Sequence, residues 1–169
     1  MIDRQYLLTD EQVISFINYG YHLVEPDFPS GFNESVHQDL TQLNGDPGNA
    51  ILDEVPKLQE VYNHPAVRGA LVSLLGEDVK MNGHRHCHTN LPGSRSQGWH
   101  QDGTNVRHHQ IWTVLAMYYP QDVAADEIAL VEVDAEAEPG LQRRVVRRNV
   151  AGPVEVALFH AQGIDGAIA

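Results

Sequence analysis

The apolar pattern of this chain changes from mainly helical to strand-like near Val79, and this change limits the folds that the chain can adopt. Before it, apolar residues recur at helical spacing; after it, short apolar runs lie between turn residues, as in strands. Helices followed by strands favour an α+β architecture, in which the helices pack against an antiparallel sheet system. We therefore expect a mainly β core that closes as a barrel or jelly roll, with flanking N-terminal helices.

Local signals set the bounds of the predicted elements. Thr9 and Gln12 have the spacing of a capping box, and Gly20 is placed to end the helix that follows. Pro65 suits the first turn of a later helix, which Gly76 ends. A further helix is predicted over about 33–43, a turn over 46–48, and strands over 21–24, 80–90, 110–119, 128–133, 142–150 and 154–160.

Length, charge and cysteine content narrow the class of protein. The 169 residues predict a single domain, with a mainly helical flank over 1–78 and the barrel core over 79–169. One cysteine, Cys87, excludes an internal disulfide and fits a reducing compartment. A net charge of -12 opposes binding to nucleic acid. With neither a signal peptide nor a long apolar run, we expect a cytoplasmic protein without a membrane partner.

Histidines concentrate just after the change of period. On a strand, His84, His86 and His88 would share one face, since side-chain direction has a period of two. They could line a cavity together or face solvent, and a hydrogen-bonded structural histidine is the more frequent case. The members of the whole group are His84, His86, His88, His100, His108 and His109.

His100 and Asp102 form a possible chelate, because residues two apart at a strand end place an imidazole and a carboxylate on one side. With a third ligand, such a pair occupies one face of an octahedral metal, as in the two-histidine, one-carboxylate Fe(II) sites. An H-x-D triplet alone is a weak signal, since it arises by chance in many proteins.

The surrounding sequence is more specific than the triplet. Gly98-Trp99-His100-Gln101-Asp102-Gly103, followed by 107–110 and the strand pattern of 112–119, resembles the phytanoyl-CoA dioxygenase family over roughly residues 6–123. The resemblance implies a double-stranded β-helix (cupin-like) fold and hydroxylation of a small organic substrate, coupled to oxidative decarboxylation of 2-oxoglutarate at Fe(II). It also implies that His100 and Asp102 are iron ligands and that Trp112 lines the cosubstrate pocket, although a strand tryptophan is more often a core residue.

The last part of the chain departs from the family pattern. The P-G-S-H turn is missing, and the place of the third ligand is taken by Asp165, with His160 as the nearby alternative. No arginine follows to pair with the distal carboxylate of 2-oxoglutarate; Arg143, Arg144, Arg147 or Arg148 could substitute for it or could pair with acidic neighbours. A degenerate homologue, a truncated or frame-altered chain and a shortened enzyme each fit this pattern, which leaves closure of the barrel open.

Two functions therefore remain as hypotheses. The first is a non-haem Fe(II)- and 2-oxoglutarate-dependent oxygenase, with a substrate that the sequence does not identify because loops around the barrel mouth select it. The second is a catalytically inactive homologue that acts as a binding or assembly module; another cupin-like metal enzyme is a third option. An incomplete barrel would expose strand edges, which predicts a homodimer.

Overall fold

The computed structural model describes residues 2–89, 111, 113–121, 129–133, 145–149 and 156–160. The helices are α1 (Asp10–Tyr19), α2 (Phe32–Thr41), α3 (Ile51–Glu54), α4 (Lys57–Asn63) and α5 (Pro65–Leu75). The strands are β1 (Tyr21–Val24), β2 (Val114–Tyr118), β3 (Ala129–Val133), β4 (Val145–Asn149) and β5 (Val156–His160). Single 3-10 turns cover Arg4–Tyr6 and Gly48–Ala50.

Reciprocal hydrogen bonds begin α1, as the capping-box spacing predicted. The Gln12 amide donates to Thr9 Oγ1 at 3.3 Å, and the Thr9 amide donates to Gln12 Oε1 at 2.8 Å. Gly20 ends the helix with φ of 80°, a left-handed conformation that other residues adopt only with strain. The turn at Gly20 leads directly into β1, so a single residue separates the first helix from the first strand.

The predicted helix over 65–75 is confirmed as α5. Pro65 occupies its first turn, and the His64 Nδ1 accepts a hydrogen bond from the Ala66 amide at 3.3 Å. The buried side of the helix consists of Val67, Ala70, Leu71 and Leu74. Since each fully buried aliphatic side chain contributes about 1.5–3 kcal/mol, this face anchors the helix firmly.

β5 is the central strand of a three-stranded antiparallel sheet with the order β1-β5-β2. Tyr21 of β1 and Leu115 of β2 both pair with Phe159 of β5. Strands β3 and β4 pair separately, with Val131 opposite Arg147. The sheet joins β1, from the predicted helical flank, to β2 and β5, from the predicted β core. A jelly-roll barrel formed by these strands stays a prediction.

The hydrophobic core lies between the helices and the β1-β5-β2 sheet. Phe16 of α1 and Leu158 of β5 are both 0% exposed, and Val24 and Val156 are buried beside them. The helical face of α5 completes this cluster. The last described strand is therefore as deeply embedded in the core as the first helix.

Two features differ from the predicted element pattern. Residues 80–89 were predicted as a strand, but no strand is formed there, because polar side chains of the neighbouring loop take up several of their amides. Helices α3 and α4 were not predicted; each is short, and Pro56 separates them. Among the helices of the described ranges, none combines the length and apolarity needed to cross a membrane.

Candidate functional site

Most of the predicted iron site falls outside the described residues. This holds for both predicted iron ligands, for the predicted pocket tryptophan, for one candidate third ligand and for two of the four candidate arginines. They are His100, Asp102, Trp112, Asp165, Arg143 and Arg144. The structure instead describes the segments before and after the H-x-D block, the name used here for Gly98–Gly103.

The segment after the block is anchored in the core. β2 begins two residues beyond Trp112. Ile111, Val114 and Tyr118 are partly buried and pack against the core cluster. This packing fixes the position of β2, which begins eleven residues after Gly103.

The backbone of His160, the alternative third ligand, lies at the same end of the sheet. In the antiparallel register His160 pairs with Val114, the first residue of β2. Along β5, Val156 and Leu158 are buried in the core, and His160 is the last residue of the strand. The register thus places the backbone of His160 beside the first residue of β2, and a role as metal ligand stays a prediction. Arg147 and Arg148 lie in β4.

The segment before the block meets the 46–49 loop in what we call the polar junction, formed by residues 46–49 and 82–88. Asp46 is its centre: Oδ1 accepts hydrogen bonds from the amides of Gly48 at 2.8 Å and Cys87 at 3.1 Å. Oδ2 lies 3.1 Å from His86 Nδ1. These contacts favour the ionised carboxylate and lower the pKa of Asp46 to about 2, the Cys87 amide having the largest effect.

Arg85 forms the second connection across the polar junction. Its guanidinium donates to the Asn49 carbonyl, at 2.7 Å from Nη2 and 3.2 Å from Nε, and to the Asn82 carbonyl at 2.8 Å. The Arg85 amide also donates to Asn49 Oδ1 at 3.0 Å. The 82–88 segment is therefore held to the loop by backbone and side-chain contacts alike.

The three alternating histidines form an outward-facing stripe on the polar junction. His84, His86 and His88 are exposed, whereas Arg85 and Cys87 between them are half-buried. The ring centroids of His84 and His86 are 4.5 Å apart and those of His86 and His88 are 5.8 Å apart. Of the two predicted arrangements for these residues, the structure shows the one that faces solvent.

Aromatic rings connect the loop over 25–31 to β2. Phe28 stacks on Phe32 with centroids 4.5 Å apart and lies edge-on to His64 at 4.9 Å and to Tyr118 at 6.2 Å. The Tyr118 hydroxyl donates to Asn33 Oδ1 at 2.6 Å. Burial, assisted by the nearby Glu34 carboxylate, raises the pKa of Tyr118, so this hydroxyl stays protonated.

Within the described ranges, no group of three or more His, Cys, Asp or Glu side chains is arranged to hold a metal ion. Asp46 and Asn49, which organise the polar junction, were not among the predicted site residues. Their only signal was the Asp46-Pro47-Gly48 turn, since Asp in a turn often accepts backbone amides two residues on. The contact to Cys87 depends on the tertiary fold and has no local signature.

The chain was also compared with known proteins. No family model, no curated protein and no solved structure matches it.

Proposed function

We propose that this protein is a non-haem Fe(II)- and 2-oxoglutarate-dependent oxygenase that hydroxylates a small organic substrate. His100 and Asp102 are two of the iron ligands, and Trp112 lines the cosubstrate pocket. The proposal includes a double-stranded β-helix for the strand-rich part of the chain. It also includes a cytoplasmic location, since a single cysteine fits a reducing compartment.

One observation carries this proposal: the sequence block from Gly98 to Gly103 is followed, eleven residues later, by the anchored strand β2. A metal site needs ligands on a rigid support, because small displacements of the donor atoms weaken binding. Ile111 and Val114, eight and eleven residues after Gly103, pack against the core. A rigid strand close in sequence to the block therefore supports the proposal.

The chemistry of the donor set fits Fe(II). An imidazole and a carboxylate separated by one residue supply two donors of the iron triad, and the open positions would accept a bidentate 2-oxoacid. Bound iron supplies the oxygen chemistry, whereas the protein holds the ligands, orients the cosubstrate and excludes water. His100 and Asp102 would hold the metal, and Trp112 would limit the positions open to the cosubstrate.

Two residues compete for the role of third ligand. His160 would preserve the usual donor set, and its register with Val114 puts its backbone at the end of the sheet where β2 begins. Asp165 would give one histidine and two carboxylates, a set that favours harder cations. The separate variants His160→Ala and Asp165→Ala decide between them, because only the true ligand should weaken Fe(II) binding substantially.

The proposal is tested by anaerobic calorimetric titration of Fe(II), followed by 2-oxoglutarate, into the metal-free protein. His100→Ala and Asp102→Ala should abolish both binding events. His108→Ala is the matched control, since it removes a histidine from the same stretch of sequence without touching the H-x-D triplet. Succinate release on adding oxygen would then show turnover.

The result also separates the two functional hypotheses. Binding of Fe(II) and 2-oxoglutarate that depends on His100, with succinate release, supports the oxygenase. Binding without any succinate would favour the inactive homologue, a binding or assembly module. If neither ligand binds to the wild-type protein, the oxygenase proposal is wrong.

A further inference from the structure

We propose that His84 and His86 form a divalent transition-metal site on the surface of the polar junction, with Asp46 as the carboxylate that orients His86. The site is separate from the proposed iron centre and does not depend on it. It would accept cations that prefer imidazole ligands, namely Zn²⁺, Ni²⁺ and Cu²⁺.

The contact between Asp46 and His86 prepares the imidazole for a metal. Asp46 Oδ2 lies 3.1 Å from His86 Nδ1, and an ionised carboxylate can only accept a hydrogen bond. Nδ1 therefore carries the hydrogen of this bond. The lone pair then resides on Nε2, the other ring nitrogen. Carboxylate–histidine–metal arrangements of this kind fix the tautomer and the ring orientation, and they raise the basicity of the ligand.

Asp46 is itself held in place, so the orientation of His86 does not depend on a freely rotating side chain. Its Oδ1 accepts the amides of Gly48 and Cys87, which belong to opposite sides of the polar junction. Contacts to both sides of the polar junction therefore fix the position of the carboxylate.

The spacing of the rings suits a shared cation. Two imidazoles bound tetrahedrally to one metal, with metal–nitrogen distances of about 2.0–2.1 Å, place their ring centroids about 5 Å apart. The observed separations of 4.5 Å for His84 and His86 and 5.8 Å for His86 and His88 bracket this value. His84 is further fixed by its amide, which donates to Asn82 Oδ1 at 2.8 Å.

Electrostatics favour a cation over an anion at this surface. The Asp46 carboxylate lies against the stripe, and the whole chain carries a net charge of -12. Among the described residues, Arg85 lies between the histidines of the stripe, but its guanidinium is bonded to the Asn49 and Asn82 carbonyls and its side chain is less exposed than theirs.

His84 and His86 are the closer of the two ring pairs, and no group of three or more His, Cys, Asp or Glu side chains is arranged to hold a metal in the described ranges. The remaining positions would be filled by water, or by His88 after a rotation of its side chain. Such a site is open to solvent, and it should take up and release its metal readily.

The test uses full-length His100→Ala protein, so that the proposed iron centre does not contribute. Calorimetric titration with Zn²⁺ should show one bound equivalent. Adding His86→Ala should remove it, adding His84→Ala should weaken it by at least 10-fold, and adding Asp46→Asn should weaken it by about 10–100-fold, the usual effect of losing an orienting carboxylate. His37→Ala, which removes a histidine from α2, should leave the affinity unchanged.

A second readout locates the metal directly. Paramagnetic Ni²⁺ should broaden the imidazole NMR signals of His84 and His86 before those of any other histidine. The proposal is overturned if His100→Ala protein binds no Zn²⁺, or if binding persists at full strength in the added His86→Ala variant. Circular dichroism spectra of the variants should match those of the parent, since the three residues changed at the site are exposed.

Discussion

The helical core and the polar junction are neighbouring parts of one chain, but different forces stabilise them. In the core, Phe16 and Leu158 are fully buried among apolar side chains. In the polar junction, Asp46, His86 and Asn49 are exposed; Asp46 and Asn49 accept backbone amides, and Asp46 also contacts the His86 ring. Burial stabilises through surface removed from water, whereas exposed hydrogen bonds add little net free energy and mainly define geometry. Core substitutions should therefore unfold the protein, and junction substitutions should loosen it locally.

Removing the ring of Phe16 should have the largest effect. Phe16→Ala leaves a cavity between α1 and the sheet, and it should lower the free energy of unfolding by about 3–5 kcal/mol. Ile17→Ala is the matched control on the same helix, because Ile17 is 61% exposed. That control should stay within about 0.5 kcal/mol of wild type. Urea denaturation measures both, and equal effects would contradict the assigned core.

Gly69→Ala should cause the second-largest loss in the free energy of unfolding, because the added methyl group overpacks the structure. A Cβ at this position would overlap the backbone carbonyl of Tyr6, and backbone cannot move aside as a flexible side chain can. The expected loss is about 1–3 kcal/mol by thermal or urea unfolding. Deleting residues 2–6 provides the control, because the alanine should then have almost no further effect. A loss of equal size in the shortened protein would contradict a clash with Tyr6.

Asp46→Asn should change the polar junction and leave the core intact. Loss of the charge weakens the acceptor of the Gly48 and Cys87 amides, so these amides should exchange with solvent faster while the urea midpoint changes little. Asp53→Asn, at another exposed carboxylate in α3, should alter neither. A global loss as large as that of Phe16→Ala would remove the distinction between the two regions.

The titration of Asp46 tests the same contacts without a mutation. Its pKa in the folded protein is lowered from 3.8 to about 2, so the unfolded chain binds the proton more tightly. The stabilisation is therefore present above pH 3.8 and is lost as the pH falls through about 2. The NMR shift of the Asp46 carboxyl carbon should have its midpoint near 2; a midpoint near 3.8 would show that the contacts do not persist in solution.

The pH dependence of stability that comes from His22 should be the smallest of these effects. It tests the helical core rather than the polar junction. Burial lowers the pKa of His22 below the ordinary value of 6.5. As the pH falls, His22 is therefore protonated in the unfolded chain at a higher pH than in the folded protein. The stability contributed by neutral His22 is present above pH 6.5 and is lost as the pH falls below it. The urea midpoint should fall less between pH 7.5 and 5.5 in His22→Gln than in wild type. An identical fall in both proteins would contradict burial of this imidazole.

Patterns with a local physical cause were predictable from the sequence. The capping box of Thr9 and Gln12, the left-handed Gly20 and the first-turn Pro65 each act within one helix, and the structure has all three. The predicted strands over 110–119 and 154–160 contain β2 and β5, because β-branched and aromatic runs favour extended backbone. The exposure of the three alternating histidines was one of two arrangements that strand periodicity allowed.

Features created by tertiary contacts could not be predicted in the same way. Nothing local indicates that β5 lies between β1 and β2, or that Asp46 reaches the amide of Cys87. The strand predicted over 80–90 is not formed over 80–89, since alternation shows which side chains share a face but not what accepts the backbone hydrogen bonds. At the iron site, the triad roles of His100 and Asp102 stay predictions that the titrations above would test.

The pairing of β1 with β5 has a consequence for the time course of folding during synthesis. β1 is made early, yet its antiparallel partner is Val156–His160, which leaves the ribosome far later. At about 5–20 residues per second, the intervening chain takes on the order of 10 s to produce. Throughout that interval, the edge of β1 that β5 will occupy and the apolar surface that Leu158 will cover have no native partner. A nascent chain of this kind is expected to engage chaperones, and to aggregate if synthesis pauses before β5.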